Sequence, residues 1–431
     1  MVSSTLPTRR LVIVVRADPV ICGHSVEARN LAEAALLRGF DDVRILTWPI
    51  GLLEATGLPL KPADRILEYS HGITVERPEP VGDYKIPDGR HLTALTGRLV
   101  ELFTDGVPTV AMSLYLMPHT LAVADALTTA RATGLPVNVT TIAEAVGSDI
   151  TNVVRAAVAA DDFGAAARLL SAYLSQDQCV AVSRYTIEAI VEAAAELDIR
   201  HGTRFAAACR QRVGVSYPAI DTAAWTTLDP AETARVLDAR GLEPGGYVLS
   251  LSRLMPAKGI DDLIAGFAAS RAAAGTRLVV VGCGPGEEQL RAVAAASPAA
   301  ERITFLTDVD DAEKPHIMAG SAAYVLATKP LPEFVETFGI TLAESMLAGG
   351  GPVITTDVGG TLEAVGDTAL VVPPGDPAAI ARALDAALTL TGRERAERAA
   401  RARGYALRFG RMRVFDALMT RAGLAVRAMS A

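Results

Sequence analysis

PEFVETFGITLAESMLAGGGPVITTDVGG, residues Pro332 to Gly360, sets a loop, a helix start and a strand in close succession. FGITLA predicts the first turns of a helix, and VITT, Val353 to Thr356, a short strand. Two carboxylates flank the helix start, Glu336 in the loop and Glu344 further along. At about 1.5 Å rise per residue, Glu344 is expected roughly two turns inside the helix. The amides of Phe338, Gly339 and Ile340 are expected to be unpaired donors where the helix dipole favours an anion. One carboxylate on each side and amides between them suit a molecule that is hydroxylated at both ends and anionic in the middle, the shape of a nucleoside diphosphate sugar. Taken alone, the same pair fits an amphipathic helix with two surface glutamates.

Outward from this stretch the strand pattern repeats. YVLSLS (Tyr247 to Ser252), LVVVG (Leu278 to Gly282), ITFLT (Ile303 to Thr307), AYVLAT (Ala323 to Thr328) and LVV (Leu370 to Val372) read as strands with helical stretches between them. The front of the chain shows the same rhythm. LVIVV (Leu11 to Val15) is a continuous apolar run, as expected of a strand buried on both faces. VRILTW, VPTVAMS, VNVTTI and CVAVS follow, ending at Ser183, with helical spacing in VEARNLAEAALLRGF. Strands alternating with helices predict an α/β chain with doubly wound parallel sheets. The pattern restarts after Pro244-Gly245-Gly246, so two Rossmann-like halves are expected. Residues 50 to 87 are rich in proline and glycine and read as an irregular surface segment.

The 431 residues include 50% hydrophobic and 21% charged side chains, enough for large cores and unlike a disordered chain. A net charge of -8 without a basic run argues against nucleic acid as a partner. No apolar run nears the ~18 residues of a transmembrane span. The run after Arg9-Arg10 is too short for a signal peptide. Four cysteines without a CxxC pair fit a reducing cytoplasm, not a disulfide frame or a zinc site.

SLSRLMPAKGIDDLI (Ser250 to Ile264) places Arg253 and Lys258 between a strand end and a helix. Arginine offers a planar fork to phosphate oxygens and lysine a point charge. VVVGCGPGEEQL contains Gly282, Gly284 and Gly286 after a strand, a tight turn that lacks the glycine spacing and acidic partner of a dinucleotide site. Asp308 to Asp311, DVDD, reads as a solvated acidic helix start, and no metal is expected.

The glutamate pair, the strand leading to Gly359-Gly360 and the upstream basic pair together resemble the retaining GT-B glycosyltransferases of family 4. That group includes sucrose synthase and the bacterial mycothiol and mannosyl transferases. The resemblance implies two Rossmann-like domains facing across a cleft: 1–218 completed by a C-terminal helix at 410–431, and a donor-binding domain at 219–409. It implies that Arg253 and Lys258 neutralise the departing diphosphate, that Glu336 holds the donor sugar, and that Glu344 takes the ribose hydroxyls. Phe338, Gly339, Ile340 and Gly284 would add donor contacts, and no cofactor is implied.

In the front half the family's glycine pair is reduced to Gly23, flanked by His24, which is expected near a phosphate or the acceptor. Where the family carries a histidine for the sugar's far hydroxyl, this chain has Glu144, with His119 a partial substitute. Ser183 is expected to face the cleft. The implied activity is retaining transfer of a sugar to a small-molecule acceptor, of the secondary-metabolite or low-molecular-weight thiol kind. Neither UDP nor GDP is selected, and a homodimer is left open. Rival readings are an epimerase or phosphorylase on the same scaffold, or a non-catalytic sugar-nucleotide sensor.

Overall fold

In the computed structural model, residues 9–55, 57–80 and 87–424 are described. The chain forms two compact units, residues 1–219 with 411–431, and residues 220–410.

The first unit is built on a seven-stranded parallel sheet: β1 Arg10–Val14, β2 Asp42–Leu46, β3 Ile73–Glu76, β4 Thr109–Leu114, β5 Val139–Ala145, β6 Gln178–Ala181 and β7 Val213–Val215. Their order is β3-β2-β1-β4-β5-β6-β7. Every residue of β1 and β4 is buried, as the unbroken apolar runs require of central strands covered on both faces. Fully burying each Leu, Ile or Val contributes about 1.5–3 kcal/mol. Helix α1, Gly23–Leu37, lays Ala28, Leu31 and Ala35 on one face of the sheet.

The second unit has six parallel strands: β8 Tyr247–Leu251, β9 Arg277–Val281, β10 Ile303–Leu306, β11 Ala323–Leu326, β12 Val353–Thr356 and β13 Leu370–Val372. Their order is β10-β9-β8-β11-β12-β13. Helix α2, Ile340–Ala348, links β11 to β12. It begins after Gly339 and ends at Gly349, both in the left-handed region. Helix α3, Arg411–Arg421, returns to the first unit and buries Phe415 and Met419 in the same core as α1. The final part of the expected C-terminal helix, residues 425–431, lies outside the described residues.

Two strands escaped the sequence pattern. β3 lies in the stretch read as irregular, and β7 lies between the two runs of expected strands, after Ser183 and before Pro244. Both are edge strands, and most of their residues are only half-buried. An edge strand lacks the two-sided burial that writes a continuous apolar run.

Candidate functional site

In each sheet the strand order reverses once, between β1 and β4 and between β8 and β11. Crevices at the carboxyl ends of such strand pairs are where open α/β sheets hold ligands. In the second unit, Arg253 follows β8, and the loop carrying Glu336 follows β11.

After β8 the chain passes Arg253 and enters a 3-10 turn, Pro256–Lys258. Lys258 Nζ forms an ion pair with Glu336 Oε2 and lies 4.9 Å from the centre of the Phe334 ring. The two paired side chains are 12% and 11% exposed, shielded yet reachable. The Glu336 carbonyl accepts from the Gly360 amide at 2.9 Å. A Cβ on Gly359 would lie 2.0 Å from that carbonyl oxygen, and Gly359 has φ +61°, so only glycine lets the two segments meet. Gly284 does the same for the basic loop. A Cβ there would lie 2.4 Å from the Leu254 carbonyl oxygen, beside the Leu254 N–H to Cys283 O bond of 3.0 Å. Its role in the structure is to seat the Arg253 loop.

Helix α2 starts without a side-chain cap or an acidic first turn. The amides of Gly339 and Ile340 have no acceptor among the described residues. The Phe338 ring is buried edge-on to Phe409, with ring centres 5.0 Å apart. Glu344 is the fifth residue of α2, a little over one turn in rather than two, because the helix begins at Ile340. Glu344 as a residue is half-buried, and burial of its carboxyl pushes its pKa up to about 7, with Lys314 drawing it down and Asp311 raising it. Asp311 and Lys314 pair at 2.5 Å, so the acidic stretch after β10 delivers a cation and an anion beside Glu344. The sequence reading treated that stretch as solvated. The Asp311–Lys314 spacing of one helical turn was the signal that could have found the pair. Glu336 and Glu344 both raise the pKa of the buried Tyr324 hydroxyl, which burial raises most and which donates to Leu251 O at 2.9 Å. Arg253 and Lys314 both lower the pKa of the Cys283 thiol, which burial raises. The second unit therefore gathers Lys258 with Glu336, both glutamates around Tyr324, and Arg253 with Lys314 beside the glycine turn.

In the first unit the outcome is mixed. Gly23 is the exposed first residue of α1, and the His24 ring lies 5.8 Å from that of Tyr115 just after β4. Three expectations are corrected. His119 is 1% exposed, with Nδ1 2.7 Å from Leu114 O and Nε2 receiving Trp48 Nε1–H at 3.4 Å. Both ring nitrogens thus serve the protein. Ser183 is fully buried and caps the helix Arg184–His201, its Oγ accepting from Thr186 N at 3.1 Å, instead of facing a ligand. Glu144 is also fully buried, so its carboxyl is closed to a sugar hydroxyl. It lies at the end of β5 beside Glu27 of α1.

The acids of Asp308–Asp311 are taken up by Arg240, by the amides of Ala312 and Glu313, and by Lys314.

Residues 240–405 match the glycosyl transferases group 1. A GDP-mannose-dependent alpha-(1-6)-phosphatidylinositol monomannoside mannosyltransferase of Mycobacterium tuberculosis is 36% identical over 202 residues, 45% of this chain and 51% of that protein. A 2-deoxystreptamine N-acetyl-D-glucosaminyltransferase of Streptomyces fradiae is 32% identical over 170 residues, 38% of this chain and 39% of that protein. The chain thus spans about half the length, or less, of the curated relatives it matches. Anabaena HepE, solved in complex with UDP and glucose, superposes with a TM-score of 0.66 at 17% identity, over 95% of this chain and 98% of that one. The fold is therefore GT-B, and the second unit carries the match to the group 1 glycosyl transferases.

Proposed function

We propose that the protein moves a hexosyl group, with retention of configuration, from a nucleoside diphosphate sugar to a small polyhydroxylated acceptor. The observation that carries this reading is the shielded Lys258–Glu336 pair beside the uncapped start of α2, with Glu344 one turn further on. An ammonium has three N–H donors, and Glu336 accepts from only one of them. The others are available to diphosphate oxygens, joined by the Arg253 fork and the open amides of Gly339 and Ile340. The second Glu336 oxygen is left for a sugar hydroxyl. Ionised Glu344 accepts two ribose hydroxyls.

The chemistry is one substitution at the anomeric carbon. The bond from that carbon to the phosphate oxygen breaks, and a bond to the acceptor oxygen forms on the same face. The departing phosphate takes the acceptor's proton. Positive groups fixed where this charge develops stabilise the transition state, commonly the largest single contribution to such catalysis. A protein nucleophile is not needed.

The donor nucleotide is proposed to be GDP, because a relative matched over 202 residues is named for GDP-mannose. The acceptor is proposed to contain a cyclitol ring, since inositol and 2-deoxystreptamine, in the names of two relatives, share one. Thermal-shift measurements with GDP and UDP test the donor. GDP should raise the melting temperature more than UDP, and no shift with either would remove the donor site. NMR of the product tests retention, and an inverted anomer would refute the same-face scheme.

A further inference from the structure

We infer that Glu27 and Glu144 share one proton and form a latch on Ala219, the residue at which the chain leaves the first unit. Glu27 lies on α1 and Glu144 at the end of β5, and they are 2% and 0% exposed. Their side chains are in hydrogen-bonding contact. With both groups ionised, that contact would join two acceptors. Counted so, neither Glu144 oxygen has a donor. The arrangement is satisfied only when one carboxyl carries a proton and donates it to the other.

Among the described residues, their charged surroundings are acidic. Glu144 faces Glu27 and Asp149, and it also acts on the Tyr173 hydroxyl. Among the described residues, no basic side chain acts on either carboxyl. Two buried like charges without a counter-ion disfavour double ionisation, so the first proton is held into the neutral range. Burial is the main cause, and it pushes Glu27 up to about 7 and Glu144 well above its ordinary value. Asp149 is a different case. It is pushed up to about 6 by burial, yet it accepts from the amides of Leu116, Val146, Gly147 and Ile150.

The pair is joined to the backbone at one place. Glu27 Oε1 accepts from the Ala219 amide at 3.2 Å, and Asn30 Nδ2 donates to the Ala219 carbonyl at 2.9 Å. Ala219 closes the first unit, since residue 220 begins the second. While the proton is shared, Glu27 is held against this amide. When it is lost, the two carboxylates repel and the grip loosens. The folded chain holds a proton that the unfolded chain has released above the ordinary glutamate value. Stability from this pair therefore falls as pH rises above the ordinary glutamate value of 4.5 and through the raised range of the pair.

The test reads the proton directly. Infrared spectra of wild-type protein at neutral pH, with glutamate carboxyls labelled by 13C, should show a protonated carboxyl band. Glu344 also titrates near neutrality, so the band should persist in Glu344→Gln and vanish when Glu144→Gln is added to that variant. Glu144→Gln supplies an N–H donor to Glu27 without a titrating proton. It should therefore flatten the fall in melting temperature between about pH 5 and about pH 8, and hold the Ala219 amide protection factor constant over that range. A wild-type spectrum without the band overturns the proposal, whether or not the variant folds. An unchanged melting slope in a folded Glu144→Gln variant would overturn it equally.

Discussion

Lys258 and Glu336 are each other's nearest opposite charge, which sets what either substitution does. Removing one partner of a shielded pair leaves the other charge uncompensated. Glu336→Ala and Lys258→Ala are each expected to lower kcat by about 10²-fold or more, as for other groups that stabilise developing charge. Lys258→Ala should also weaken binding of the nucleoside diphosphate, measured by calorimetry. Wild-type rates in both variants would exclude the assignment. Glu344 gives a pH signature of its own. With its carboxyl pushed up to about 7, it is protonated in mildly acidic solution and ionised above neutrality. In the role proposed for it, Glu344 accepts from two ribose hydroxyls only when ionised, so affinity should rise between about pH 6 and about pH 8. The raised value works against the fold in the same range, because the folded state keeps a proton that the unfolded state gives up. Glu344→Gln should flatten the affinity profile; a profile that stays steep would place the titrating group elsewhere.

At the level of elements, the sequence signals differ in what they record. The central strands were legible because LVIVV and LVVVG carry their two-sided burial in consecutive residues. Ser183 shows the limit of such a signal. Its position at a strand end suggested a ligand contact, but a serine there serves equally as the cap of the following helix, and that is its task. Ser183→Ala should cost about 1 kcal/mol of stability, read by denaturant unfolding, while kcat stays unchanged. A loss of turnover with intact stability would return Ser183 to the site. The loop around Glu336 depends on backbone geometry. Gly359→Ala would place a methyl group against the Glu336 carbonyl, so it should displace that loop and reduce turnover several-fold or more. Binding of the nucleoside alone should suffer less, since Glu344 is held by the separate framework of α2.

Across the whole molecule, each unit has its own sheet and cores, and α3 is the piece of late sequence that completes the first. Phe415 is fully buried, with its ring edge-on to Phe40 at 5.8 Å between centres. Phe415→Ala is expected to destabilise the protein by about 3–5 kcal/mol. Hydrogen exchange should place the lost protection in β1 and β2 rather than in β8 and β9. Uniform loss over both sheets would mean that the units unfold as one. The sequence by itself determined the alternation of strands and helices, the restart after Gly246, and the basic and acidic residues beside the second sheet's switch point. Burial on both faces and chemistry at strand ends are written in short runs of neighbouring residues. Only the tertiary structure decided that Glu144 is sealed against Glu27, that His119 is spent on Trp48 and Leu114, and that Lys314 stands beside Glu344. Those outcomes depend on which distant elements pack face to face, and a side chain's local sequence carries no record of what lies across from it.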